Sequence, residues 1–129
     1  MKFYKELLMD HYRNPRNRGR IGSPSFSTAQ YNPSCGDSVL FDVVLEDGIV
    51  KKVSFEGKGC VISQATSSIF TEYFVGKHID EILALKKDAI KDIIGMDLGN
   101  TRIKCALLSL VALQEGILNH KKRVSKAGA

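Results

Sequence analysis

Residues 39–55 decide the fold, and they read VLFDVVLEDGIVKKVSF. Apolar residues alternate with more polar ones on both sides of the Asp47-Gly48 pair, as in Val39, Phe41, Val43 and Leu45 before it and Ile49, Val53 and Phe55 after it. Such alternation is typical of strands that bury one face. Asp-Gly suits the positive φ angles of a tight two-residue turn. The stretch therefore predicts an antiparallel β-hairpin.

The residues before the hairpin predict one helix, one arm and one further strand. Apolar spacing over residues 2–13 predicts an amphipathic helix, which Asn14-Pro15 ends because the residue before proline avoids the α region. Residues of about 13–27 are rich in Arg, Asn, Gly, Pro and Ser and predict an extended, mobile arm. A weaker strand pattern at 27–31 extends the hairpin to a three-stranded antiparallel meander.

The residues after the hairpin have helical periodicity. They predict helices at 61–75, closed by Gly76, at 79–85, at 88–94, closed by Gly95, and from near Thr101 to about Asn119. The tail of about 120–129 lacks periodicity and is predicted to be disordered. Strands followed by helices indicate an α+β fold in which helices pack on one face of the sheet. We expect residues 1–129 to form a single domain.

Composition narrows the classes of function. The 129 residues contain no apolar run long enough for a membrane span, and the N-terminus lacks the apolar core of a signal peptide, so we expect a cytoplasmic protein and no membrane partner. The formal net charge is +5, but the excess lies at the two ends of the chain. This pattern favours solvated termini or an acidic protein partner, and we expect no nucleic-acid binding.

The three cysteines are the candidate functional residues. An odd number without an export signal argues against a disulfide framework. Cys35 lies in a turn-forming stretch before the second predicted strand, Cys60 follows Gly57-Lys58-Gly59, and Cys105 lies in the predicted first turn of the last helix. These positions at the ends of elements favour a shared site over three unrelated core thiols.

The chemistry of these positions suits a metal. A thiolate is a metal ligand, and unpaired N–H groups at a helix start favour its negative charge. Asp37 follows Cys35 by two residues and can add a carboxylate. Three thiolates and one carboxylate suit Zn²⁺ or a [2Fe–2S] cluster. The spacing contains no C-x-x-C pair and leaves scattered structural thiols open as the alternative. We expect none of the histidines to be a ligand, namely His11, His78 and His120.

Four stretches carry a resemblance to a known family, and they read MDHYRNPRN at 9–17, NPSCGD at 32–37, GKGCVIS at 57–63 and RIKC at 102–105. Over about residues 2–119 the chain resembles the IscU/SufU/NifU N-terminal family of iron–sulfur cluster assembly scaffolds. The resemblance implies a three-stranded sheet with packed helices. It also implies that Cys35, Asp37, Cys60 and Cys105 are the ligands of a cluster or metal. Cys35 is the candidate persulfide acceptor.

The same resemblance implies partners and two activities. The partners are a pyridoxal-phosphate-dependent cysteine desulfurase and recipient apoproteins or carrier proteins. One activity is assembly and transfer of a [2Fe–2S] cluster, and the alternative is sulfur relay by a zinc-bound SufU-type sulfurtransferase. A structural zinc domain is a third, less specific interpretation. A homo-oligomer stays open, and Arg13 and Arg16 either contact the desulfurase or are solvated.

The chain departs from the family pattern at three places. Lys104 stands where IscU-type members have a histidine, and it either modulates Cys105 by lowering its thiol pKa or is simply solvated. Residues 97–102 read DLGNTR in place of the Leu-Pro-Pro-Val-Lys chaperone motif, so the resemblance gives no basis for a dedicated Hsp70 partner. The insertion of about twenty residues typical of SufU members is absent. Lys104 and the stretch RIKCA at 102–106 resemble the SufU branch. The chain therefore combines a SufU-like motif around the third cysteine with an IscU-like length.

Overall fold

A computed structural model describes residues 2–33 and 36–127 of the chain. Its three strands are β1 (Phe26–Asn32), β2 (Asp37–Glu46) and β3 (Ile49–Lys58). They form one antiparallel sheet in the order β1-β2-β3. This meander and the helices packed on it confirm the predicted fold class.

The hairpin forms where the sequence predicts it. Asp47 and Gly48 connect β2 to β3 with φ angles of 53° and 77°, which fits a two-residue turn with both central residues at positive φ. A register shift between Val44 and Leu45 interrupts the pairing close to the turn. Alternate residues of the strands point into the core and are buried, namely Phe26, Val39, Phe41, Val43, Val50, Val53 and Phe55.

Five helices complete the fold: α1 (Lys2–Arg13), α2 (Val61–Tyr73), α3 (Ile79–Leu83), α4 (Lys87–Ile94) and α5 (Gly99–Ala127). Helix α5 packs across β1 and β2, α2 packs against β3 and α5, and α1 packs against α2. The approach of α5 to the sheet is close, because a Cβ atom on Gly116 would lie 2.7 Å from Phe26 and Thr28. All these elements contribute residues to one hydrophobic core, and the single domain over residues 1–129 stays a prediction.

The arm between α1 and β1 lies against the free edge of β3. Gly19 donates a backbone hydrogen bond to the Phe55 carbonyl, and the Phe55 N–H donates to the Asn17 carbonyl. Arg20 and the N–H of Ile21 bind the Asp42 carboxylate on the outer face of the sheet. The arm covers part of one sheet edge, but it bends at several positions between Asn14 and Ser25 and is not extended throughout as predicted. Its mobility stays a prediction.

Several helix boundaries differ from the predicted ones. Helix α2 ends at Tyr73 rather than Val75, and the chain turns at Gly76 with a φ angle of 90°. Helix α5 begins at Gly99, two residues before the predicted start, and the Asp97 carboxylate accepts the Gly99 N–H at 2.9 Å. Gly95 closes α4 in the left-handed conformation, as predicted.

The largest correction concerns the end of α5. The sequence predicts a helix end near Asn119 and a disordered tail over about 120–129, whereas α5 continues to Ala127. The prediction is therefore wrong for residues 120–127. These residues contain neither Gly nor Pro, and basic side chains near a helix C-terminus stabilise it. Lys121 also forms an ion pair with Asp80. Within the described ranges no helix combines the length and the apolar character needed to cross a bilayer.

Candidate metal centre

Asp37 is the first residue of β2 and is only 1% exposed. Asp37 is paired with Asn32 of β1, and this pairing holds its backbone in the sheet. Its Oδ1 accepts the Cys60 backbone N–H at 2.8 Å, and its Oδ2 accepts the Cys60 thiol at 3.3 Å. A carboxylate is expensive to bury without partners, and both oxygens of this one face Cys60. The sequence predicts Asp37 as a ligand, and the structure places it beside the second cysteine, Cys60.

Gly59 makes the approach between Asp37 and Cys60 sterically feasible. Its φ angle is 139°, in a region that residues with a Cβ rarely adopt. A Cβ atom at this position would lie 2.0 Å from Asp37 Oδ1 and 2.9 Å from Asp37 Cα. The chain between β3 and α2 can therefore pass over the carboxylate only because residue 59 is a glycine.

Cys60 is the N-cap residue of α2, which confirms the predicted position at a helix start. Its backbone is extended, with φ −74° and ψ 166°, and its Sγ accepts the backbone N–H of Ser63 at 3.4 Å. The Ser63 hydroxyl donates to the Cys60 carbonyl. The sulfur thus occupies the position of a capping oxygen, where the unpaired N–H groups of the first turn favour negative charge.

Cys105 lies on α5, and its sulfur is close to the donor atoms of Asp37 and Cys60. It is half-buried, and the next residue, Ala106, is completely buried against the core. The predicted first-turn position is wrong, because α5 begins six residues earlier at Gly99 and Cys105 lies in its second turn. The helix N-terminus therefore does not stabilise a Cys105 thiolate, since that effect fades beyond the first turn.

The donor atoms of Asp37, Cys60 and Cys105 all lie within 4.8 Å of one another. Zinc takes sulfur at about 2.3 Å and oxygen at about 2.0–2.2 Å, and structural sites are tetrahedral. These bond lengths put neighbouring donors about 3.5–3.8 Å apart, so the three donors need to close by only about an ångström. Two thiols and a carboxylate also suit iron–sulfur ligation. The donor set fits either occupant.

The fourth predicted ligand, Cys35, lies outside the described residues, so its placement is untested. It precedes Asp37 by two positions in the sequence. Gly36, the residue between them, has a φ angle of 75° and donates a backbone hydrogen bond to the Asn32 carbonyl at 2.8 Å. Gly36 therefore leads directly into Asp37, the first residue of β2.

The surroundings of Cys105 favour its protonated thiol. Burial raises the pKa of the Cys105 thiol to about 12, and the neighbouring Cys60 and Asp37 act in the same direction. The thiol is then protonated near neutral pH, and a cation that binds here has to displace its proton. This rise is opposite to the lowering of the Cys105 pKa that is expected of Lys104, and the Lys104 side chain is exposed. A role for Lys104 stays a prediction.

A cavity of about 550 Å³ opens beside the two thiols, and both Cys60 and Cys105 line it. Its other walls come from α1, the start of α2 and the segment before α5. Arg102, three residues before Cys105 on α5, also lines the cavity, whereas Lys104 does not. Residues three apart share a helix face, and adjacent ones do not. Arg102 is the first residue of the RIKC stretch, but the sequence motifs predict no role for it, although its spacing from Cys105 is a signal for one.

The remaining candidate residues lie elsewhere. His11 is buried between α1 and α2, with Nδ1 2.8 Å from the Ser68 hydroxyl. His78 caps α3, and the His120 ring lies against Phe26. Arg16 forms an ion pair with Asp10 at 2.5 Å, and Arg13 is exposed. None of these five described side chains belongs to the group of donors around Asp37.

Comparisons with known proteins agree with the fold and point to one family. The sequence model of the family described as "NifU-like N terminal domain" matches residues 3–127. The zinc-dependent sulfurtransferase SufU of Bacillus subtilis is 36% identical over 132 aligned residues, which cover 88% of each chain. The iron–sulfur cluster assembly scaffold protein IscU of Thermotoga maritima is 34% identical over 121 residues, which cover 94% of this chain and 82% of the relative.

A solved structure has the same architecture. The N-terminal part of a nitrogen-fixing NifU-like protein from Brucella abortus superposes with a TM-score of 0.74, covering 92% of this chain and 94% of the other, at 20% identity. At that identity the likeness concerns the fold alone. The family match over nearly the whole length and the two relatives above 30% identity confirm the resemblance seen in the sequence motifs. The chain belongs to the family of NifU-like N-terminal domains.

Proposed function

We propose that this protein is an iron–sulfur cluster assembly scaffold that accepts sulfur from a cysteine desulfurase, assembles a [2Fe–2S] cluster and passes it to apoproteins. The observation that carries the proposal is the convergence of Asp37, Cys60 and Cys105, whose donor atoms lie within 4.8 Å of one another although they belong to separate elements. Relatives named as IscU scaffolds support the same function.

The chemistry assigns a role to each residue. Cys60 and Cys105 supply thiolates to ferrous iron, and Asp37 supplies a carboxylate oxygen. Cys35 is the proposed fourth ligand and the first acceptor of sulfur. Its thiolate attacks the outer sulfur of the desulfurase persulfide, and the desulfurase cysteine leaves as a thiolate. Each transferred sulfur needs two electrons from a reductant to become sulfide in the cluster.

The exposure of the site suits a product that has to leave. Cys60 and Cys105 are both half-buried rather than enclosed. A cluster held there touches solvent on one side, and one of its ligands is a carboxylate, which binds iron less tightly than a thiolate does. Both properties favour release to a recipient protein.

A second candidate function is zinc-bound sulfur relay. The zinc-dependent sulfurtransferase SufU is 36% identical over 88% of this chain, and Lys104 precedes the third cysteine as in SufU-type members. In this role Zn²⁺ is held by the same four residues. Exchange of one ligand on the desulfurase frees Cys35 as the sulfur acceptor. The partners of both functions include the desulfurase, and we propose no dedicated Hsp70 partner.

Metal content separates the two functions. Protein purified without oxygen is analysed for zinc and iron, and is then incubated with desulfurase, cysteine, ferrous iron and a reductant. We expect visible iron–sulfide absorbance and about two irons per cluster. Zinc that remains bound while no absorbance develops overturns the scaffold function and supports the relay.

Variants test whether the named residues carry the function. We expect Cys60→Ser and Cys105→Ser to abolish cluster formation while the far-ultraviolet circular dichroism is kept. Asp37→Asn is compared with Asp42→Asn, because both positions are buried carboxylates on β2 and only Asp37 belongs to the donor group. If the cysteine variants unfold the protein and the desulfurase shows no response to the wild type, the site is a structural zinc site instead.

A further inference from the structure

The cavity beside the candidate metal centre has the properties of a small-molecule site. Its volume of about 550 Å³ lies within the range of about 300–1,000 Å³ that is usual for ligand pockets. Apolar side chains form most of its wall, among them Leu8, Met9, Met96 and Leu98. The sulfur-bearing residues Cys60 and Cys105 line it as well. A molecule bound in this cavity would therefore lie directly against the two thiols.

The charged residues of the wall are all positive. Lys5 of α1 and Arg102 of α5 line the cavity, and no acidic residue does so among the described lining residues. Both side chains are exposed, so they stand where the cavity meets solvent. An ammonium and a guanidinium at the mouth of an apolar cavity attract a carboxylate. Arg102 is three residues from Cys105 on one helix face, about 5–6 Å between Cβ atoms, so the anion would lie close to the sulfur.

We propose that this cavity binds a small thiol that carries a carboxylate, and that the bound thiol takes sulfur from a persulfide on Cys60. The proposal rests on the proposed function, in which persulfide sulfur enters the site through Cys35, and it requires this sulfur to pass to Cys60 by a second thiol–persulfide exchange in which Cys35 leaves as a thiolate. The thiolate of the small molecule attacks the outer sulfur of the Cys60 persulfide. A new bond forms between those two sulfurs, the bond from Cys60 Sγ breaks, and Cys60 leaves as a thiolate. The products are a small persulfide and free Cys60, and the exchange needs no oxidant or reductant.

The local structure favours Cys60 as the leaving sulfur. Its Sγ already accepts the Ser63 N–H at 3.4 Å from the first turn of α2. This contact and the helix N-terminus stabilise the negative charge that develops as the bond breaks, and they act against the Asp37 carboxylate, whose Oδ2 lies 3.3 Å from the same sulfur. The N-terminus of α5 does not offer Cys105 the same stabilisation, because Cys105 lies in the second turn of that helix. The cavity thus offers one cysteine as donor and one arginine for orienting the acceptor.

A binding experiment tests the cavity without any sulfur chemistry. The full chain, as purified, is titrated calorimetrically with S-methylglutathione, a thioether with two carboxylates, and with its diethyl ester. We expect Arg102→Gln and Lys5→Gln each to weaken binding of the acid by about tenfold, or 1.4 kcal/mol. The matched control is Arg123→Gln, which removes the same charge from an exposed position on the same helix. Equal losses in Arg102→Gln and Arg123→Gln, or tighter binding of the ester, overturn the proposal.

A transfer experiment tests the reaction itself. Metal-free protein is loaded with persulfide by inorganic polysulfide, so the outcome does not depend on any desulfurase. Peptide mass spectrometry then follows the loss of one sulfur from Cys60 after addition of glutathione or cysteamine at equal thiolate concentration. We expect glutathione to react about tenfold faster, Arg102→Gln to remove this preference, and Arg123→Gln to keep it. Equal rates in the wild type contradict the proposal. A protein that the desulfurase cannot load but that passes this test contradicts the proposed function instead.

Discussion

The carboxylate of Asp37 accepts two hydrogen bonds from Cys60, one from its backbone N–H at 2.8 Å and one from its thiol at 3.3 Å. The strand β2 begins at Asp37, and the helix α2 is capped by Cys60. This pair therefore joins the sheet to the helix α2 at the point where the candidate metal ligands meet. A substitution that separates the two residues should disturb both the fold and the site.

Gly59→Ala should damage the site and the fold together. The new Cβ would lie 2.0 Å from Asp37 Oδ1, and the φ angle of 139° is strained for alanine. We expect a loss of about 2–4 kcal/mol in the free energy of unfolding and weaker zinc binding. Urea denaturation and zinc titration measure both. Gly22→Ala is the control, because a Cβ atom at that position would have no other atom within 4 Å among the described residues; equal effects in the two variants would show that the contact at Gly59 is not the cause.

Binding of zinc should release protons near neutral pH. Burial, Cys60 and Asp37 raise the pKa of Cys105 to about 12, so its thiol is protonated in the metal-free protein and deprotonated in the complex. The apparent affinity should therefore rise with pH, by about tenfold per pH unit for each proton released. Calorimetry in buffers of different ionisation enthalpy counts the protons. Zinc binding to the Cys105→Ser variant should release at least one proton fewer. An unchanged proton count in this variant contradicts the assignment of Cys105 as a ligand that loses its proton.

Asp42 should stabilise the fold only when it is ionised. Burial opposes ionisation, but hydrogen bonds from Arg20, from the Ser27 hydroxyl and from the Ile21 N–H outweigh it and hold the pKa of Asp42 below its usual 3.8. Because the folded-state pKa is the lower one, the stabilisation is complete well above pH 3.8 and is lost as the pH falls through the folded-state value.

The measurement for Asp42 is urea denaturation of Asp42→Asn and the wild type at several pH values. We expect the variant to be less stable by about 1–3 kcal/mol at pH 7, and the difference to shrink below about pH 4. Ser27→Ala removes one hydrogen-bond donor to Asp42 and should cost less. A difference that stays constant from neutral pH to about pH 3 argues against an ionised Asp42 in the folded state.

His11 should make the fold sensitive to mild acid. Burial of the ring lowers the pKa of His11 below its usual 6.5, and the nearby Arg16 lowers it further, although Glu72 and Asp10 act in the opposite direction. The unfolded chain thus takes up a proton more readily than the folded protein. The stabilisation is complete above about pH 6.5 and is lost as the pH falls through the folded-state pKa.

Denaturation midpoints between about pH 7.5 and pH 5 test this effect. We expect His11→Gln to flatten the pH dependence over that interval, at some cost in stability because the hydrogen bond to Ser68 is altered. His78→Gln serves as the control, since the His78 side chain caps α3 and is 41% exposed, against 6% for His11. A pH dependence that follows His78 rather than His11 would refute the prediction.

The local elements could be predicted from the sequence because their causes are local. The alternation of Val39, Phe41 and Val43 depends on neighbours two residues apart, and the turn at Asp47-Gly48 depends on two φ angles. The position of Cys60 at a helix start could also be predicted, since glycines precede it and a helical pattern follows. The end of α5 could not, because the ion pair between Lys121 and Asp80 joins residues from different helices.

The sequence by itself determined the α+β order of elements, the antiparallel hairpin and the cysteines and aspartate that are candidate ligands. Only the tertiary structure decided that Asp37, Cys60 and Cys105 lie within 4.8 Å of one another, that burial raises the pKa of Cys105, and that Arg102 rather than Lys104 lines the cavity. The physical reason is the range of the forces involved. Backbone propensity acts within a turn or a strand, whereas distance, desolvation and the direction of a side chain depend on how β2, α2 and α5 pack together.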